Sequence, residues 1–157
     1  MARLFPLLLL VTISCTPAAL PKLDLHQLTR EAVGIVSDDF TCVRMVEQWE
    51  IGGTSPAAVS MPNKCMLYVE SAMQEIHDKW GPGAAFGIVV HELAHFLLHD
   101  INTPIWPAQL EADELAGCAL ARSKRYRFED YIALLRDFTS MWPERVEAAK
   151  RGADRCG

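Results

Sequence analysis

Residues 84–100 constrain this chain more than any other stretch. They are rich in strong helix formers, contain no proline, and lie between two breakers, Gly81-Pro82-Gly83 and Asn102-Thr103-Pro104. The segment predicts a helix from Ala84 to Asp100 with one internal glycine, Gly87, in the apolar run Phe86 to Val90. That run leads into His91, Glu92 and His95. Residues four apart on a helix project from one face, so the two imidazoles can reach a single metal ion. Glu92 is the next residue round the helix, beside the metal position and not on it. H-E-x-x-H in this setting predicts one zinc ion held by His91 and His95. Glu92 is then the general base that takes a proton from water the metal has activated and passes it to a leaving amine.

Catalytic zinc sites use three protein ligands and leave one position open. His99 shares the helix face, but it stands about 12 Å from His91 along the axis, too far for one helix to wrap around one ion. It is expected to orient a neighbouring group or to lie at the surface. A glycine and a third histidine in the longer metzincin spacing are absent, and so is any C-x-x-C pair of the kind that builds a cysteine zinc site.

The remaining segments predict a mainly helical α+β domain. A helix is expected to begin near Leu25, residues 41–47 are ambiguous, and residues 50–64 read as a loop. Cys65 to Glu70 is a candidate strand, followed by a helix capped by Ser71 that carries Met73, Ile76 and Trp80. Beyond the active helix, further helices are expected over Pro107–Ser123, Tyr126–Ser140 and Pro143–Asp154. No internal repeat or low-complexity tract is present. The net charge of −5 argues against a nucleic-acid partner, which requires a basic face. The cluster from Arg122 to Arg127 reads as a solvated helix end.

The N-terminus reads as a leader. Arg3 precedes an apolar stretch, Leu4 to Ile13, too short to span a bilayer as a mature helix. Residues 1–14 are expected to be a signal peptide and 15–24 a tether to a domain over 25–157. Ser14-Cys15 resembles the end of a bacterial lipoprotein signal, which implies lipid on Cys15 and attachment to a membrane. Ordinary cleavage near Ala18 or Ala19 is the competing reading. Setting Cys15 aside leaves Cys42, Cys65, Cys118 and Cys156, an even number, as two disulfides in the envelope or periplasm would require. Three connectivities are possible. Cys42–Cys65 with Cys118–Cys156 is expected, because each pair lies on one side of the active helix. Free buried thiols are the alternative.

After the H-E-x-x-H helix, a short connection leads to Gln109-Leu110-Glu111-Ala112-Asp113-Glu114-Leu115-Ala116-Gly117. Leu67-Tyr68-Val69 precedes the helices, and Ser140-Met141-Trp142-Pro143-Glu144-Arg145-Val146 follows them. In this arrangement residues 65–152 resemble the minigluzincin zinc peptidases. The resemblance implies a zincin-like active-site helix with a small β element before it, one zinc ion, and a protein or peptide substrate. Two positions depart from the family. Trp142 stands where a histidine usually precedes the proline. The ligand glutamate usually stands four residues before the aspartate, and that position here is Gln109, whereas Glu111 is two before it. A carboxylate suits zinc better than an amide, so Glu111 is expected as third ligand through a local register change, with Gln109 the alternative and a degenerate site the remaining reading. Asp113 is then a hydrogen-bond partner for a histidine.

The sequence thus points to an exported zinc endopeptidase. Its rivals are a non-catalytic envelope binding or chaperone module that keeps a protease fold, and a closed structural zinc site in which His99 fills the fourth position.

Overall fold

The computed structural model describes residues 22–36, 42–51, 55–60, 65–98, 105–138 and 142–157. The expected signal peptide, Cys15, most of the tether, and His99 lie outside them. Among the described residues the chain is mainly helical with one small sheet. In order, the elements are α1 (Leu25–Val36), β1 (Cys42–Met45), α2 (Gln48–Ile51), β2 (Ala57–Ser60), β3 (Cys65–Tyr68), α3 (Glu70–Trp80), α4 (Pro82–Leu98), α5 (Ile105–Arg122), α6 (Phe128–Phe138) and α7 (Pro143–Cys156).

The helix carrying H-E-x-x-H, α4, is the axis of the fold. It touches α1, α3, α5, α6 and β2, and Gly83 to Gly87, Val89, Val90, Leu93 and Ala94 are all buried. Enclosure on nearly every side explains its near-continuous apolar sequence. The break before it is a single residue. Gly81 has φ 99°, a left-handed conformation that glycine adopts without strain, and α4 starts at once with Pro82 in its first turn. No residue of α4 caps this end. Asp130 of α6 does so from outside, accepting from Gly83 N at 3.1 Å.

The sheet has the order β1-β3-β2, with β1 parallel and β2 antiparallel to β3. Residues 57–60 were expected to be loop. Ala57 to Ser60 pair instead with Tyr68 to Cys65, so tertiary pairing overrides a weak local pattern. Cys42 and Cys65 are direct partners across the parallel pair and form a disulfide. Tyr68 passes through the core to meet Thr29 of α1, oxygen to oxygen at 2.7 Å. Ser71 does not cap α3, whose N-cap is Val69 without a side-chain hydrogen bond. Helix α5 begins at Ile105, two residues before Pro107.

The most extensive helix pairing joins α5 and α7, backbone against backbone. A Cβ at Gly117 would stand 1.9 Å from the Ala149 carbonyl oxygen, and one at Gly152 would stand 1.8 Å from that of Glu114. The Cys118–Cys156 disulfide closes the far end of this seam. Two disulfides, in the pairing expected from sequence, fit an oxidising compartment. Among the described residues no helix is long and apolar enough to cross a membrane.

Gly152→Ala must force α5 and α7 apart, since the obstacle is backbone and cannot rotate away. Thermal unfolding should show a loss of about 2 kcal/mol or more. Gly34→Ala, exposed on α1 with nothing within 4 Å of the added carbon, should instead gain about 0.5–1 kcal/mol.

Candidate metal centre

The site is assembled from α4, α5, α6 and α7. Four-residue spacing brings His91 and His95 to one face of α4, with their Nε2 atoms 3.1 Å apart and rings nearly perpendicular at 87°. Two ligands of a tetrahedral zinc with bonds of about 2.0–2.1 Å stand roughly 3.3 Å apart, so this spacing suits two vertices around one ion. The third vertex comes from α5. The Gln109 carboxamide straddles the two rings, with Oε1 3.0 Å from His91 Nε2 and Nε2 3.1 Å from His95 Nε2.

Asp113 lies one turn further along α5 and is fully buried. Its Oδ1 meets His91 Nδ1 at 2.8 Å. An ionised carboxylate only accepts, so Nδ1 carries a proton, and in the neutral ring Nε2 keeps its lone pair. With the carboxamide in the orientation given, that lone pair faces another acceptor, Gln109 Oε1. A cation between them satisfies both. The donor set therefore fits zinc in spacing and in chemistry, although a neutral amide attracts the ion less than a carboxylate would.

Three donors from three helices hold Asp113. Besides His91 of α4, Tyr131 of α6 donates its hydroxyl to Oδ1 at 2.7 Å. Arg145 of α7 donates Nε to Oδ2 at 2.6 Å and Nη2 to Oδ1 at 2.9 Å, a bidentate pair. Burial alone would raise the carboxyl, but His91 and Arg145 outweigh it and bring its pKa down to about 2.

Glu92 lines the same cavity as His91 and Gln109. Burial pushes its carboxyl above the ordinary value, against the pull of His91 and Arg145. The cavity has a volume of about 290 Å³, and its apolar wall comprises Ile76, Ile88, Leu134, Leu135 and Phe138. The half-exposed indoles of Trp106 and Trp142 pack at a tilt of 59° with ring centroids 5.8 Å apart. They stand one turn before Gln109 and Arg145 respectively.

The other expected ligand, Glu111, is exposed to solvent. No register change turns it inward. Helix α5 is already regular from Ile105, and it is Gln109, four residues before Asp113, that shares the aspartate's face. Among the described residues no group of three His, Cys, Asp or Glu side chains converges as a metal cage, because the third converging group is an amide. Two residues of the centre were not singled out from sequence. Arg145 appeared only within the C-terminal segment of the resemblance, and Tyr131 only as a position inside the helix expected over Tyr126–Ser140. The signal available was a tyrosine on a face otherwise filled by Phe128, Ile132 and Leu135. Comparisons with family models, with curated proteins and with solved structures return no match.

The depressed Asp113 carboxyl gives a stability prediction. An unfolded chain protonates it around 3.8, whereas the folded chain holds the charge to about 2. Its contribution is complete above about pH 4 and disappears as the pH falls towards 2. Urea unfolding followed across that interval should reveal a loss of up to about 2 kcal/mol. Asp113→Asn should start less stable at neutral pH and lack this component of the fall.

Proposed function

We propose that the chain is a zinc-dependent endopeptidase of the cell envelope. The observation that carries this reading is the convergence of His91 Nε2, His95 Nε2 and the Gln109 carboxamide at spacings near 3 Å, with Glu92 on the wall of the adjoining cavity. His91, His95 and Gln109 Oε1 would hold the ion. Zinc, when bound, supplies Lewis acidity toward water and a peptide carbonyl.

The chain's own groups do the rest. Asp113 fixes the tautomer and plane of His91, so that its lone pair needs no reorganisation. Glu92 accepts a proton from the attacking water and returns it to the departing amine. A carboxyl raised by burial is better suited to that exchange near neutrality than an ordinary one. The apolar wall of the cavity favours a substrate with a bulky apolar side chain beside the scissile bond. The paired disulfides, the apolar leader and Cys15 support an exported, lipid-anchored protein.

A second reading is favoured by one residue. Gln109 gives the ion no negative charge, as would suit a non-catalytic binding module that has kept the fold of a peptidase. Zinc content and peptide turnover separate the two. The oxidised protein should carry one zinc per chain, lost in His91→Ala, weakened in Gln109→Ala and unchanged in Glu111→Ala. Gln109→Glu should bind zinc more tightly. Glu92→Gln should keep the ion and lose turnover by about 100-fold or more. A parent protein that takes up no zinc after refolding with the metal under oxidising conditions leaves the binding module as the better account.

A further inference from the structure

Tyr131 is fully buried on the inner face of α6, where phenylalanine would serve for packing alone. Its ring occupies a notch in α4. A Cβ at Gly87 would stand 2.2 Å from Tyr131 Cδ2, so any side chain there displaces the ring. Glycine inside a helix is destabilising, and this one is required by what lies against it. Gly87 is one turn before His91, so the notch sets the phenol at the level of the metal-binding turn. The hydroxyl then donates to Asp113 Oδ1 at 2.7 Å, the same oxygen that accepts from His91 Nδ1 at 2.8 Å.

We infer that Tyr131 is a positioning residue for His91, acting through Asp113 from its seat in the Gly87 notch. Arg145 grips both carboxylate oxygens, but its side chain lies partly at the surface on α7, 17% exposed. A carboxylate held from one side can pivot about that grip. The phenol supplies a third donor from the core and stops the pivot, so that Oδ1 stays in line with His91 Nδ1 and His91 Nε2 stays bare and aimed at the metal position. The role rests on the reading of His91 as a ligand, and it concerns the histidine before any ion arrives.

The experiment uses the purified, oxidised protein without metal, near neutral pH. Nitrogen-15 NMR of the parent should show His91 as one tautomer, protonated at Nδ1, with its proton in Overhauser contact with a slowly exchanging Tyr131 hydroxyl. Tyr131→Phe keeps the ring in the notch and should still unfold cooperatively. It should show mixed His91 tautomers, and its zinc affinity by chelator competition should fall about 10–100-fold. A variant that keeps the single tautomer and binds zinc within about twofold of the parent overturns the inference, whatever its stability. If Tyr131→Phe does not fold, the parent spectrum decides, and absence of the hydroxyl-to-His91 contact overturns it. A parent that binds no zinc removes the proposed function, while the metal-free spectra still decide the positioning role.

Discussion

The buried carboxylate of Asp113 is the constraint on which the rest of this structure depends. A lone ionised carboxylate in a protein interior is costly, and removing one partner of such a group typically costs about 3–5 kcal/mol. Asp113 escapes that cost only because donors arrive from three directions: His91 on α4, Tyr131 on α6 and Arg145 on α7. With its own helix α5, the aspartate therefore specifies how four helices meet. Three close approaches in the core accompany that meeting. Gly87 admits the tyrosine ring, and Gly117 and Gly152 let α7 lie close enough to α5.

The neutral amide at position 109 changes the charge balance at the candidate centre. Asp113 is neutralised by Arg145 and is not aimed at the metal position. An ion held by His91, His95 and Gln109 would keep its full positive charge. Such a centre binds its metal less firmly than one with a carboxylate ligand but polarises what the metal touches more strongly. Glu92 is then the one carboxylate among the residues lining the cavity, so its charge state matters more here than in a site with an anionic ligand.

Helical periodicity carried most of the fold in advance. Helix α4 was legible from its helix formers and flanking breakers, and a one-sided helix such as α6 from the 3.6-residue repeat that burial on one face forces. Strand β2 was not, because Ala57 to Ser60 has no pattern of its own and becomes a strand only by pairing with β3. His91, Glu92 and His95 were legible because their spacing alone puts them on one face. The third converging residue was open between Gln109 and Glu111. Chemistry favoured the acid, and geometry brought the amide to the histidines, since the face of a helix is set by its phase and not by what a metal prefers. Tyr131 and Arg145 could not be found from spacing, because both act through Asp113 from separate helices.

The position of α7 in the chain has a temporal consequence. A polypeptide that emerges N-terminus first presents α4 and α5, complete with His91, His95 and Gln109, before the guanidinium of Arg145 exists. Until then Asp113 lacks the one cation among its donors, even where α5 can already pack Ala116, Ala119 and Leu120 into the core. The acid that orients His91 has its full set of partners only when α7 lies in the glycine seam and Arg145 meets it. The centre is thus complete only with the last helix, and a chain cut short before α7 would carry these residues without the cation that balances Asp113.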